Sequence, residues 1–235
     1  MSLARRRFAP RIVPTVAAVL FVALTLWLSR WQAHRADEKR ELQARMETRL
    51  AEPPLVLTGM VASGEPLLFR HVRAAGEWMP EGQIFIDNRV MAGRAGFDVI
   101  TPLRLKGTRD VVLVNRGWIE RTAAYPGAPD VPVPRGAAEV AGMATVPPRR
   151  FIELSADTVT GNVWQNLKIE RYAQTMHAAV LPIVILDEHP PEGLAAVHQE
   201  PDAGISKHIE YEYTWLSFAI TAIALWVVLN LRRAP

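Results

Sequence analysis

The chain has 235 residues, a formal net charge of +3 and a 49% share of hydrophobic residues. It has no cysteine, which excludes a disulfide framework and a thiolate metal site. The cationic residues beside the two apolar ends are Arg5, Arg6, Arg7, Arg11, Arg232 and Arg233. This position favours a membrane-topology signal, with the lipid bilayer as partner, over binding to nucleic acid.

The first apolar segment covers residues 12–29 and contains no charged side chain. A helix of this length is about 27 Å long, close to the hydrocarbon thickness of a bilayer. Trp27 and Trp31 lie at its far edge, as interfacial aromatic residues do. A cleaved signal peptide is the alternative, but the bulky exit lacks the small-residue cleavage pattern. The pattern therefore favours a retained transmembrane helix.

The second apolar segment covers residues 214–231 and is followed directly by Arg232 and Arg233. It predicts a second span, in which the small residues Ser217, Thr221 and Ala224 suit the close approach of another helix. We expect a multi-pass protein of the bacterial inner membrane. Arg232 and Arg233 after the span, against Lys207 alone in the residues just before it, predict that both termini (residues 1–11 and 232–235) are cytoplasmic and residues 30–213 periplasmic. The first span has cations on both sides and gives no clear direction.

Residues 30–50 predict a helix that continues the first span out of the bilayer, and Pro53 and Pro54 end it. The pattern then becomes that of β-strands separated by Gly, Pro, Asp and Asn. The predicted strands are Leu55–Val61, Leu67–Arg73, Gln83–Val90, Gly96–Leu105, Val111–Trp118, Glu139–Thr145 and Leu181–Leu186, with one short helix at Glu170–Ala179. We therefore expect an α+β membrane protein whose middle domain is a mainly antiparallel, barrel-like sheet with few helices.

Motifs of known enzymes are absent from the sequence. It has no P-loop, no G-x-S-x-G elbow and no histidine pair with metal-ligand spacing. We therefore predict no catalytic residues and no enzymatic activity. An acid–base site that folding assembles from distant residues remains an alternative.

The unusual polar residues lie at the ends of the two apolar segments. On the N-terminal side they are Trp31, Gln32, His34, Arg35 and Lys39, and on the C-terminal side Lys207, His208, Tyr211 and Trp215. If the second helix begins before the bilayer, His208, Tyr211 and Trp215 share one face. Interfacial anchoring explains the aromatic and cationic side chains well. The alternative is a site at the outer leaflet, where His208 ligates haem iron and Arg35 or Lys39 pairs with haem propionates.

Four motifs resemble those of the surfeit locus protein 1 family of cytochrome c oxidase assembly factors. They are the WQAHRADEK segment at residues 31–39, the glycine-rich turn into TPL at 93–103, VLVNRGWI at 112–119, and His208, Tyr211, Thr214 and Trp215. The resemblance covers nearly the whole chain. It implies a chaperone-like role in maturing oxidase subunit I by assisting haem a insertion, with subunit I and haem a synthase as partners. It also implies His208 as an axial ligand of haem a.

The segment Asn115, Arg116, Gly117 and Trp118 is a structural or partner-binding motif. A glycine within a strand favours a bulge or a close backbone approach, and Arg116 either pairs inside the domain or faces a partner. Three readings of function follow: an assembly factor that presents haem a, a cofactor-free scaffold that holds immature subunit I, and a membrane-anchored enzyme with an unrecognised site.

Overall fold

The computed structural model describes residues 6–123, 125–147, 159–198 and 204–233. The chain divides into two units: residues 1–45 with 200–235, and residues 46–199. The predicted cytoplasmic termini, 1–11 and 232–235, lie partly outside the described residues.

The first unit contains the helix α3 (Ile205–Asn230) and all but the last five residues of the helix α1 (Ile12–Leu50). Both are long and apolar enough to cross a membrane, and only 6% of the most apolar window of each is buried. The predicted continuation of the first segment as a helix to Leu50 is confirmed. α3 begins at Ile205, before the predicted span at Thr214, so the condition for His208, Tyr211 and Trp215 to share a helix is met. A short antiparallel pair, β1 (Arg6–Phe8) and β11 (Leu231–Arg233), joins the ends of the two helices, a pairing that the sequence analysis did not predict.

The second unit is a mixed sheet with one short α-helix in its described part. The elements are β2 (Leu55–Leu57), β3 (His71–Trp78), β4 (Ile84–Met91), β5 (Arg94–Leu105), β6 (Val111–Glu120), β7 (Ala137–Thr145), β8 (Val159–Thr160), β9 (Val163–Trp164), α2 (Ile169–Met176) and β10 (Val180–Asp187). The strand order is β2-β3-β7-β10-β6-β5-β4-β9-β8, and β3 also pairs with β5. The pairings β3–β7–β10–β6–β5–β3 therefore form a closed circuit of five strands.

Alternate side chains of these five strands, together with Leu57 of β2 and Leu67 before β3, form the main core. It contains Leu57, Leu67, Val72, Ala74, Leu103, Leu105, Val112, Val114, Val140, Ala144, Leu181, Ile183 and Ile185. A second core lies on the opposite face of β5, β6 and β10, where Trp164, Leu167 and Tyr172 cover Leu113 and Val184. Because β6 and β10 are buried on both faces, they read as continuous apolar runs, which is typical of parallel strands. They pair in parallel, as do β2 with β3 and β4 with β9, so the sheet is mixed, although its other six pairings among the described residues are antiparallel as expected.

The predicted strand Leu67–Arg73 is wrong in its position. Leu67 ends a 3₁₀ turn, Phe69 has φ +67°, and the strand begins at His71. Leu67 and Phe69 are buried all the same. Apolar content therefore predicted burial correctly, but it does not distinguish a buried turn from a strand. The predicted strand Leu55–Val61 is shorter than expected and ends at Leu57.

Candidate functional site

The two helices of the first unit face each other through a regular series of positions. On α1 the buried and half-buried positions recur at intervals of three and four: Thr15, Ala18, Val22, Thr25, Ser29, Gln32, Ala36 and Lys39. On α3 the corresponding series is His208, Glu212, Trp215, Ala219, Ala222, Trp226 and Asn230. This spacing is that of antiparallel helices packed along one seam. The small residues of both series suit close packing in a bilayer.

Among the described residues, side-chain hydrogen bonds connect α1 and α3 at three points along this seam. Trp226 Nε1 donates to Thr15 Oγ1 at 3.0 Å near the chain termini, and Ser29 Oγ donates to the Glu212 carbonyl oxygen at 3.1 Å. The third joins His208 Nδ1 and Gln32 Oε1 at 2.6 Å. Polar groups that cannot reach water need such partners, so these bonds fix the register of the pair.

The third bond brings together residues from the two segments that the sequence analysis selected. An amide oxygen only accepts hydrogen bonds, so Nδ1 of His208 must donate the proton to Gln32. In the neutral imidazole the other nitrogen, Nε2, then carries a lone pair. Nε2 has no hydrogen-bond partner among the described residues. A half-buried histidine with this tautomer can ligate a metal through Nε2.

Arg35 lies about 60° around α1 from Gln32, at the edge of the seam. Its Nη1 pairs with Glu38 Oε2 at 2.8 Å, and its guanidinium lies 5.9 Å from the Trp31 ring centroid. The hydrogen bond from Arg35 lowers the pKa of the Glu38 carboxyl. This pair uses one of the five N–H groups of the guanidinium, and Arg35 is about half exposed. Lys39 is half-buried on the seam, one turn beyond Arg35.

The remaining predicted residues are not all on the seam. Trp215 is on the same face as His208 and packs edge-to-face against Phe218 at 5.7 Å. Tyr211 is 54% exposed, and it lies about 60° from His208 around the helix. Trp31 points away from Gln32 and lines a concavity with Trp27, Arg30 and His34. The structure thus joins His208 to Gln32, places Trp215 on the same side of α3, and leaves Tyr211 and Trp31 more exposed.

In the second unit, the Asn115–Trp118 segment forms a β-bulge. Asn115 is paired with Ile100 and Trp118 with Asp98, so that Arg116 and Gly117 together oppose Val99. Gly117 has φ +136°, and a Cβ there would lie 2.8 Å from the Ala195 carbonyl oxygen. The Asn115 side chain accepts a hydrogen bond from the Gly117 amide at 3.0 Å. The bulge therefore requires glycine at this position.

The bulge turns Arg116 into the domain, where it is 6% exposed. Its Nη1 donates to Gln83 Oε1 at 3.1 Å and to the Pro132 carbonyl oxygen at 3.0 Å, and Thr101 Oγ1 donates to the same Gln83 oxygen. Burial lowers the pKa of Arg116, and the charge of Asp187 opposes this effect. The sequence left two roles open for Arg116, pairing inside the domain or facing a partner. Its hydrogen bonds to Gln83 and Pro132 favour the role inside the domain.

Trp118 completes the motif by fixing two neighbouring segments. Its backbone exchanges hydrogen bonds with Ala195 at 2.7 and 2.8 Å, and its Nε1 donates to the Arg89 carbonyl oxygen at 3.0 Å. The indole ring lies directly against Gly96, where a Cβ would approach to 2.4 Å. Trp118 therefore acts here as a packing and bridging residue.

Asp98, which the sequence analysis did not select, lines a cavity of about 270 Å³ together with Arg89, Asn115 and His198. Burial raises the pKa of Asp98 to about 6, although Arg89 and a hydrogen bond from Asn115 act in the opposite direction. Its Oδ2 lies 3.4 Å from Arg89 Nε. A carboxyl group of this kind exchanges protons near neutral pH. A cavity with a perturbed acidic residue is what the enzyme reading requires, so the absence of enzymatic activity stays a prediction.

Comparison with known proteins gives a consistent family match. A model of the SURF1 family matches residues 19–220. A SURF1-like protein of Monosiga brevicollis is 26% identical over 220 residues, covering 88% of this chain and 84% of the relative. A SURF1-like protein of Rickettsia felis is 24% identical, covering 89% of this chain and 94% of the relative. The cytochrome oxidase assembly protein SHY1 of Saccharomyces cerevisiae is 28% identical over 123 residues, which cover 52% of this chain and 31% of that protein.

Proposed function

Because the chain belongs to the SURF1 family, we propose that it assists the assembly of cytochrome c oxidase. The yeast relative, named a cytochrome oxidase assembly protein, supports this role. The two apolar helices support action at a membrane. In the full proposal this is the bacterial inner membrane, with both termini cytoplasmic and the sheet domain periplasmic.

The finer proposal is that the helix pair holds haem a as cargo for oxidase subunit I. The observation that carries it is the hydrogen bond between His208 Nδ1 and Gln32 Oε1, which leaves Nε2 as a ligand atom. Metal-ligating histidines characteristically donate their other ring N–H to an oxygen acceptor. Haem a supplies the iron that Nε2 would ligate.

The remaining residues of the helix pair would orient the cargo. Arg35 and Lys39, one turn apart on α1, would pair with its propionates. Trp215, on the face of His208, would pack against the macrocycle, and the more exposed Tyr211 and Trp31 would border the site. The Arg35–Glu38 pair would share its guanidinium with a propionate, since most of its donors are not used by Glu38.

The experiment is an absorption spectrum of the full-length protein purified from cells that make haem a. We expect haem in the wild type and its loss in His208→Ala. His34→Ala is the matched control, because His34 lies on α1 near Gln32, is 74% exposed and pairs only with Glu38 among the described residues. It should retain haem. Wild-type protein without a haem signal would contradict the finer proposal.

A cofactor-free scaffold is the second candidate, and one observation favours it. Ser217, Thr221 and Ala224 are exposed and lie on the side of α3 opposite His208. Small residues there permit close approach of another membrane helix, such as one of subunit I. In this case subunit I would co-purify equally with wild type and with His208→Ala, and Thr221→Leu would reduce the yield. Loss of subunit I in His208→Ala alone would contradict the scaffold.

A further inference from the structure

The hydrogen bond that joins His208 to Gln32 spans 176 residues of sequence, and neither segment predicts it alone. We propose that Gln32 is a positioning residue, which fixes the tautomer and the ring orientation of His208 so that Nε2 is the only nitrogen available as a ligand. The inference rests on the proposed function only in assigning a haem iron to that nitrogen. The tautomer itself is a property of the haem-free protein.

The position of Gln32 is determined by its neighbours on the seam. Ser29, one turn before it on α1, bonds the carbonyl oxygen of Glu212, which lies one turn after His208 on α3. The two interhelical hydrogen bonds are therefore one helical turn apart on both of the antiparallel helices. With Ser29 and Ala36 buried on either side, Gln32 has little freedom to leave its partner. The register of the helices thus brings the amide oxygen to Nδ1.

An amide suits this role better than a carboxylate at the edge of an apolar segment. Both accept the Nδ1 proton, but the amide brings no charge that would need to be desolvated or paired. With its Oε1 placed toward Nδ1, Gln32 favours the Nδ1-protonated tautomer of a neutral imidazole without changing the net charge of the helix pair.

The test compares three variants of the full-length chain. Gln32→Leu removes the acceptor with little change in volume, and Gln32→Glu keeps an acceptor. Ser29→Ala is the matched control, because it removes the neighbouring interhelical bond and leaves the His208 partner in place. The first readout is the tautomer of His208 in haem-free, ¹⁵N-histidine-labelled protein in lipid nanodiscs, by long-range ¹H–¹⁵N correlation. His208→Ala assigns the signal.

We expect the proton on Nδ1 in the wild type, in Ser29→Ala and in Gln32→Glu, and a mixture of tautomers in Gln32→Leu. A proton on Nε2 in the wild type, or an unchanged spectrum in Gln32→Leu, would overturn the inference. A merely structural role for Gln32 predicts that Ser29→Ala and Gln32→Leu behave alike.

The second readout is titration with haemin, the iron(III) protoporphyrin. Loss of the group that hydrogen-bonds a metal-ligating histidine typically weakens metal binding by about 10–100-fold, so we expect this loss in Gln32→Leu and recovery in Gln32→Glu. Equal binding by wild type and Gln32→Leu would refute the positioning role and leave the proposed function standing. If the wild type binds no haemin and carries no haem a when purified from cells that make it, but shows the expected tautomers, the haem proposal fails while the positioning of His208 by Gln32 is supported.

Discussion

The helix pair and the sheet domain each contain a polar motif, and they use its side chains in opposite ways. In the sheet domain, Arg116 is 6% exposed and Gly117 lies against the Ala195 backbone. In the helix pair, His208 is half-buried, and one of its two ring nitrogens has no partner in the described part of the chain. A motif whose side chains bond within the domain stabilises a fold, whereas an available ligand atom suits a function.

The largest expected effect tests the structural half of this comparison. Arg116→Met removes charge-assisted hydrogen bonds to Gln83 and Pro132, and it should lower the free energy of unfolding by about 3–4 kcal/mol. Thermal denaturation of the full-length protein measures it. Arg94→Met is the control, since the Arg94–Glu120 pair is exposed and should contribute less than about 1 kcal/mol. If the two substitutions lower the free energy of unfolding equally, the buried hydrogen bonds of Arg116 contribute no more than the exposed Arg94–Glu120 ion pair.

Gly117→Ala should be the next most destabilising change, by about 2–3 kcal/mol, because it combines a strained φ with a contact against the Ala195 carbonyl oxygen. Gly107→Ala separates the two contributions. Gly107 also has positive φ, +78°, but a Cβ there meets nothing within 4 Å. We expect about 1 kcal/mol for this control by the same denaturation assay. If Gly117→Ala lowers the free energy of unfolding no more than Gly107→Ala, the backbone of the bulge adjusts to accommodate the added Cβ.

Asp98→Asn should stabilise the sheet domain at neutral pH by about 1–2 kcal/mol. Burial raises the folded-state pKa of Asp98 to about 6, above the ordinary value of 3.8. The Asp98 carboxyl therefore loses its proton at lower pH in the unfolded chain than in the folded chain. Between about pH 3.8 and 6 the folded state binds more protons, so the free energy of unfolding falls as the pH rises. Variant and wild type should thus agree near pH 3.5 and differ above pH 6. A difference in stability that does not vary with pH would exclude this titration.

The smallest effect is expected in the helix pair. Ser29→Ala removes one interhelical hydrogen bond and should destabilise the pair by about 0.6 kcal/mol, the average for such bonds in membranes. Reversible unfolding in mixed micelles, followed by the fluorescence of the tryptophans, measures this. A loss comparable with that of Arg116→Met would show that the seam is as sensitive to one lost bond as the domain core.

Much of the fold follows from local pattern. The runs 12–50 and 111–118 predict a long helix and a buried strand because their apolar content, length and lack of breakers are local properties. The strands Val159–Thr160 and Val163–Trp164 were missed because two residues are too few to show a period. The parallel pairing of β6 with β10 was missed as well, since burial on both faces leaves no alternation from which to infer a partner.

The sequence by itself determined which segments are apolar, where the helices and most of the strands lie, and that His208, Gln32 and Arg116 differ from their surroundings. Only the tertiary structure decided what each polar group meets. It turned Arg116 inward through a bulge, raised the pKa of Asp98 by burial, and placed Gln32 against His208. The physical reason is that hydrogen bonding and desolvation depend on neighbours distant in sequence, whereas apolar periodicity depends on neighbours along the chain.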